Sequence, residues 1–354
     1  MSARRDVIVV GGGQAGLAIG HYLAEQGRNF VILDAASEPA ATWRERWDSL
    51  VLFTPVRRDS LPGKPFPGDP ENYPTRDEVV AYLEEYAREL PLELNSRVTA
   101  VRQTGDGYVV ELEGDRSYEA DQVVIATGPF QVPVIPAIAE RLDPGVVQLH
   151  STEYRNPDAL PSGRVLVVGG GNTGFQIAEE LAASRQVHLA IGSRQVPLPQ
   201  RFLGRDLFRY LEALGLMHKN VETRLGSRMQ HRDFLIGSTP RSIRRRGVQL
   251  HPRAVDAADS EVTFSDGERL SVAAVVWATG FRVDHRWIDA PVFDESGRAQ
   301  HRRGVTSASG LYFLGLQWQY TRGSALLGWI KEDAQHVAEQ IAAHQRSRRA
   351  RVHA

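Results

Sequence analysis

The 354-residue chain is 42% hydrophobic and 24% charged, with a formal net charge of −1. That is the composition of a globular protein long enough for one large or two medium domains, and it carries no global signal for nucleic acid or an anionic membrane. Cysteine is absent, which excludes disulfides, thiolate metal sites and a cysteine redox relay.

The first stretch, MSARRDVIVVGGG, holds four strongly apolar residues before its glycines. This is too short for a signal h-region, and no later run could span a membrane, so a cytoplasmic protein is expected. Positions 7–10 read as a buried parallel strand. Gly11-x-Gly13-x-x-Gly16 follows at the strand-to-helix turn, then Leu17, Ile19, Tyr22 and Leu23 at roughly helical spacing, with Gly27 as the C-cap. In such a β-α-β unit the first glycine permits a tight turn. The second lets a diphosphate approach the backbone, and the third lets helix and strand pack closely. FVILD at 30–34 is the second strand, and Asp34 at its end can accept hydrogen bonds from a ribose. Thr75-Arg76-Asp77-Glu78 opens a helix near 75–90 as a capping box. The strands SRVTAVRQ, YVVELE and DQVVIATG complete the first module.

The same layout then repeats. After proline-rich linkers at 129–136 and 156–163, positions 165–168 form another β-branched strand. Gly169-x-Gly171-x-x-Gly174 follows, then a helix with Ile177, Ala178 and Leu181 on one face, then the strand VHLAI. From Gly11 to Asp34 is 23 positions, and the same step from Gly169 lands on Gly192. The second copy therefore lacks the ribose-binding acid, with Ser193 and Arg194 just beyond. A glycine makes room for a ribose 2′-phosphate, and an arginine binds it by a charge-assisted hydrogen bond. The second unit is expected to hold NADPH, with an ordinary surface arginine beside an NADH site as the alternative. VQLHPRAV, EVTF, a hairpin turn at Asp266-Gly267 and AAVVWATG close this module as the first was closed. Gly11 to Gly128 is 117 positions and Gly169 to Gly280 is 111. The final segment reads as a strand, a Gly/Ser turn and an amphipathic helix that returns to complete the first domain. The basic runs at 241–247 and 346–354 are expected to be a solvated loop and a frayed tail.

Two such modules, the first with an acid and the second without, match the two-dinucleotide flavoproteins, with FAD first and NAD(P)H second. A disulfide reductase of this class needs a cysteine pair that the chain lacks. The rest of the chain resembles the flavin-containing monooxygenase family (class B flavoprotein monooxygenases), especially its short bacterial members. The resemblance rests on ATWRERWDSLVLFTP (41–55), YPTRDEVVAYLEEYA (73–87), QLHSTEYRNP (148–157), GNTG (171–174) and LPQRFLGRDLF (198–208). Gly145, His150 and Tyr154 are similar to the family signature FxGxxxHxxx(F/Y). The spacing from Gly145 to His150 is one residue longer, and Asp143 stands in the region of the phenylalanine.

The resemblance implies an α/β fold of two Rossmann-like dinucleotide-binding domains. The FAD domain is discontinuous (1–155 and 283–354) and the NADPH domain (156–282) is inserted. It implies FAD contacts at Gly11, Gly13, Gln14, Ala15, Gly16, Asp34, Thr42, Trp43, Val98, Thr127 and Gly128. NADPH contacts are implied at Gly169, Gly171, Asn172, Thr173, Gly174, Ser193, Arg194, Thr279 and Gly280. RGSALLG (322–328) is expected to open the last helix and to turn the backbone N–H groups of Ser324, Ala325 and Leu326 to the flavin. Phe53, followed by Thr54, takes the place near flavin C4a where many family members carry an asparagine, and a phenyl ring donates no hydrogen bond. His150 is read as architectural. The histidines show no metal-binding spacing, so no metal is expected.

The implied chemistry is NADPH reduction of FAD, formation of a C4a-(hydro)peroxyflavin with dioxygen, and oxygenation of a soft sulfur or nitrogen, or of a ketone, on a small organic molecule. The first rival is an NADPH-dependent flavin oxidase or reductase that passes electrons to oxygen, a quinone or a protein acceptor. The second is a flavin-bearing redox sensor. No nucleic-acid or membrane partner is expected, and a homodimer is left open.

Overall fold

The computed structural model describes residues 4–105, 107–230 and 234–352. Among them two parallel-cored sheets stand out. The first has eight strands. Its main path runs Ile288–Asp289, Val98–Thr104, Gly107–Leu112, Arg116–Ile125, Arg5–Val10, Phe30–Leu33 and Leu92–Glu93, with Leu311–Phe313 also pairing to Arg116–Ile125. The second is a five-stranded parallel sheet in the order Gln249–His251, Gln186–Ala190, Arg164–Val168, Ala274–Trp277 and Val147–His150.

The central strands are apolar on both faces because helices or further strands cover both. Val7, Ile8 and Val9 are wholly buried, as are Val165, Leu166 and Val167. Each such side chain contributes roughly 1.5–3 kcal/mol by leaving water. The helix Gln14–Glu25 ends in a left-handed Gly27, which accounts for the glycine at that place. The helix Arg76–Ala87 carries the expected capping box, with the Thr75 hydroxyl accepting from Glu78 N and the Glu78 carboxylate from Thr75 N.

The C-terminal segment returns to the first sheet. Its strands 288–289 and 311–313 join that sheet. The long helix Ile330–Val352 buries Ile330, Ala334, Val337 and Ile341 in one core with Leu17, Ile19 and Leu23 of the first helix. The second sheet takes its edge strand from 147–150, so the chain enters it before residue 156. The reason is local: Val147, Gln148, Leu149 and His150 pair in register with 274–277. Strand Val132–Pro133 pairs antiparallel with Phe281–Arg282, so the two connections between the modules form one short ribbon.

Two peripheral readings need correction. Part of the basic run 241–247 is helical, Pro240–Arg245, because Thr239 and Ser242 cap it reciprocally. Most of the expected tail 346–354 continues the last helix to Val352, and 353–354 lie outside the described residues. No helix among the described residues is long and apolar enough to cross a membrane.

Candidate active site

The two glycine turns are built alike. Gly11 has φ +107°, and a Cβ there would lie 2.6 Å from Ala126 O. Gly169 has φ +138°, and a Cβ there would lie 2.1 Å from Ala278 O. The third glycines are tighter still. A Cβ on Gly16 would stand 1.9 Å from Gly11 O, and one on Gly174 would stand 2.0 Å from Gly169 O. The middle glycines are different in kind, for a Cβ on Gly13 or Gly171 meets nothing within 4 Å. First and third glycines thus serve the packing of strand, helix and neighbouring strand, while the second leaves an open approach to the backbone at a helix start. Such an opening fits a diphosphate. The repeated Ala-Thr-Gly also gains a reason, since its alanine carbonyl packs on the first glycine and its own glycine is left-handed (Gly128 φ +68°, Gly280 φ +84°).

The ends of the second strands differ as their residues do. The Asp34 carboxylate accepts from Gly12 N and, at 2.8 Å, from Ala36 N, which fixes it at the rim of the first turn. In the second module Gly192 leaves the equivalent rim open, and Arg253 fills its flank. The Arg253 guanidinium donates to Gly192 O at 2.7 Å. Arg194 and Ser193 are exposed on the same rim, with the Ser193 hydroxyl accepting from Gln195. Sequence reasoning missed Arg253. Its only signal was position, two residues beyond the third parallel strand Gln249–His251, which pairs beside Gln186–Ala190.

Several expected contact residues use their side chains elsewhere. Gln14 Nε2 donates to Ala325 O at 3.0 Å, tying the first glycine turn to the C-terminal segment. Asn172 clasps the strand Phe234–Ile236, donating to Phe234 O and accepting from Ile236 N. The Thr127 hydroxyl accepts from Gln131, and the Thr279 hydroxyl donates to Val134 O. Both threonines thereby hold the inter-module ribbon. Val98 packs on the core of the first sheet. Ala15 is buried beside Gly315, and Thr173 is partly buried in the helix Asn172–Leu181.

The expectation for 322–328 is corrected. Arg322–Ala325 is a single 3-10 turn, and the last helix starts only at Ile330. Thr321 and Ser324 close that turn as a capping box. Ser324 N and Leu326 N donate within it, to Thr321 O and Gly323 O. These two N–H groups are not aimed outward from a helix end.

Thr42 and Trp43 lie at the junction of the modules. Trp43 packs against the cores of both, while Trp47 is buried in the second core. A cavity of about 310 Å³ opens there, bounded by Thr42, Arg46, Phe130, Gln131, Thr152 and Phe281. The Arg46 guanidinium sits 5.3 Å and 5.4 Å from the rings of Phe130 and Phe281. His150 is architectural in its contacts. Its ring nitrogens lie 2.9 Å from the Thr152 hydroxyl and 3.2 Å from Gly280 O, and burial lowers its pKa. The Tyr154 hydroxyl donates to Glu180.

Phe53 stands where three segments meet. Its ring stacks on Phe208 at 6.0 Å, and Phe208 contacts Trp329 at 5.3 Å. Leu207, Met217 and Ile236 complete this apolar cluster, with Leu326 against it. Residues 196–230 and 234–236 belong to an insertion in the second module, clamped over the turn at 56–58. The buried Asp206 carboxylate pairs with both Arg57 and Arg58 and caps the helix Leu207–Ala213. Burial disfavours its charge, but the two arginines and Arg209 N hold its pKa below the usual carboxylate range. Among the described residues no group of three or more His, Asp or Glu is placed to hold a metal ion.

Residues 8–200 match the family described as pyridine nucleotide-disulphide oxidoreductase. An "Uncharacterized oxidoreductase CzcO-like" of Geobacillus kaustophilus is 42% identical over 344 residues, covering 96% of this chain and 99% of the relative. An indole-3-pyruvate monooxygenase of Oryza sativa subsp. japonica is 28% identical, covering 94% of this chain and 86% of the relative. Among solved structures, a flavin-containing monooxygenase from Stenotrophomonas maltophilia superposes with a TM-score of 0.81 at 29% identity, covering 96% of this chain and 99% of that one.

Proposed function

The chain belongs to the class B flavin monooxygenase family and is a flavin-dependent monooxygenase, and from that premise we propose that it is an NADPH-reduced, FAD-dependent enzyme that oxygenates small organic molecules at a soft sulfur or nitrogen, or at a ketone. The observation that carries the reading is the duplicated glycine turn, with Asp34 at the rim of one copy and Gly192 flanked by arginine at the rim of the other.

The first module and the returning C-terminal segment would hold FAD, through the backbone at Gly11, Gly13 and Gly16, Asp34 on the ribose, and the junction residues Thr42 and Trp43. The second would hold NADPH through Gly169, Gly171 and Gly174, with Arg253 and Arg194 on the 2′-phosphate. The flavin, when bound, supplies oxygen activation at C4a. The protein's own part is to bind, orient and exclude water. Phe53, Phe208, Met217 and Trp329 make an apolar wall for that purpose, and the Asp206 clamp holds the insertion in place.

An NADPH oxidase is the second reading, and Phe53 favours it because a stacked phenyl ring offers no hydrogen bond to an oxygen species. Anaerobic reduction with NADPH, followed by rapid mixing with oxygenated buffer, separates the two. A transient flavin spectrum distinct from reduced and oxidised forms, with oxygenated sulfide or ketone as product, supports the monooxygenase. Direct return of oxidised flavin with stoichiometric hydrogen peroxide, whatever substrate is offered, supports the oxidase.

A further inference from the structure

Thr54 and Asp59 form a buried pair next to Phe53. Thr54 Oγ1 lies 2.7 Å and 3.0 Å from the two carboxyl oxygens of Asp59. Both residues are buried, Asp59 completely. Among the described residues, Thr54 is the one hydrogen-bond partner of that carboxyl. The charged and titratable groups that face it are Arg58, in the same turn, and Tyr82 from the helix Arg76–Ala87. Arg58 turns its guanidinium to Asp206 and Glu212, and Tyr82 donates its hydroxyl to Lys64 O. From the C-terminal segment Gly328 packs directly on the Arg58–Asp59 backbone. The same segment is tied to the first glycine turn by Gln14 and Ala325.

One hydroxyl hydrogen cannot satisfy two carboxylate oxygens, and a carboxylate with a single donor in a dry site is costly. Burial accordingly pushes the Asp59 carboxyl up to about 7, against the opposing effects of the Thr54 hydroxyl and Arg58. The protonation state decides what Thr54 can offer. An ionised Asp59 takes the Thr54 hydrogen and leaves Thr54 with only lone pairs for any third group. A neutral Asp59 donates its own O–H to Thr54 Oγ1, which frees Thr54 to donate to a third group.

We propose that Asp59 is a positioning residue whose neutral form turns Thr54 into a hydrogen-bond donor to the flavin, providing the donor that Phe53 cannot. This rests on the FAD site proposed above and on the place near flavin C4a that the family resemblance implies for Phe53 and Thr54. The donor is present below the Asp59 pKa and is lost as pH rises through it.

The test uses the flavin-loaded protein and the variants Asp59→Asn, Thr54→Val and Thr54→Ser. The absorption spectrum of the bound oxidised flavin is titrated from about pH 5 to about pH 9, and the carboxylic-acid C=O band is followed by infrared spectroscopy. Wild type and Thr54→Ser are expected to show a spectral step near neutrality. Asp59→Asn, whose amide N–H donates at every pH, is expected to keep the acid-side spectrum throughout. Thr54→Val is expected to keep the alkaline-side spectrum throughout. Peroxide released per NADPH should follow the same pattern. It should rise roughly five- to tenfold across the step in wild type, the worth of one hydrogen bond, stay low in Asp59→Asn and stay high in Thr54→Val.

A step that survives in Asp59→Asn or Thr54→Val overturns the proposal, and so does a flat wild type. If a variant does not fold, wild type alone decides. A carboxylic-acid band that vanishes in step with the flavin spectrum supports the pair, and a missing band at low pH overturns it. Failure to oxygenate any sulfide or ketone sinks the monooxygenase chemistry only, because the flavin spectrum still reports on Thr54. A chain that takes up no flavin overturns both.

Discussion

Gly192→Asp should convert the second module from NADPH to NADH. Gly192 stands 23 positions after Gly169, as Asp34 stands after Gly11. Its backbone is not left-handed, and a Cβ there meets the Arg253 guanidinium at 3.4 Å, an ordinary contact. The substitution therefore fits without strain. The new carboxylate would face Arg253 and occupy the cation proposed above to meet the 2′-phosphate. A charge-assisted hydrogen bond contributes about 1.5–3 kcal/mol, taken at the lower end because Arg253 is exposed. Carboxylate and phosphate about 4 Å apart in water repel by about 1 kcal/mol. A ribose hydroxyl held by the carboxylate adds about 1 kcal/mol in favour of NADH. Together these amount to about 3–4 kcal/mol, or roughly 100- to 1000-fold in the ratio of kcat/KM for NADPH over NADH. Steady-state kinetics with both cofactors at one fixed ionic strength measures that ratio. An unchanged ratio in a variant that melts with wild type would refute the assignment of the rim. Arg253→Ala and Arg194→Ala apportion it, at roughly tenfold for each arginine that touches the phosphate.

Further substitutions probe the rest of the frame. Gly16→Ala and Gly174→Ala each force a methyl onto a backbone carbonyl, at about 1–3 kcal/mol. The first should purify depleted of flavin, while the second should keep its flavin but lose reduction by NADPH. Equal flavin loss in both would show that the modules do not bind independently. His188 is held down to about 4 by burial, with His251 at 2.8 Å beside it. Because the unfolded chain takes this proton first, near pH 6.5, stability should fall as pH drops from about 6.5 to about 4, by about 3 kcal/mol from this group. Denaturation midpoints of His188→Gln across that window should fall less steeply, and a slope parallel to wild type would contradict the assignment. Asp206→Asn removes the charge that holds Arg57 and Arg58, at about 3 kcal/mol, and should speed limited proteolysis within 198–230. Cleavage rates equal to wild type would mean that the clamp does not retain the insertion.

Much of this protein is local and was legible in one dimension. Each glycine turn is a contact between residues five apart, such as Gly11 and Gly16, and periodicity marks the strand and helix around it. The spacing of 23 residues that separates Asp34 from Gly192 is likewise counted along the chain, as are the Thr75 capping box and Gly27. The lack of cysteine settled one class of chemistry outright.

What only the tertiary structure decided are pairings between segments far apart in the chain. Arg253 reaches Gly192 because two parallel strands bring their ends together. The motif marks Asn172 as a cofactor contact, and an insertion some 60 residues on takes its side-chain amide. The sequence at 322–325 predicts a helix start, yet Thr321 and Ser324 close the turn on itself and the helix begins five residues later. Thr54 and Asp59 are close in sequence, but nothing local says that they are dry. That depends on Gly328, 269 positions downstream, lying against the Asp59 backbone. Sequence spacing encodes the backbone conformation of a segment. Burial, and with it the ionisation of a carboxyl, is set by what the rest of the chain lays on top of it.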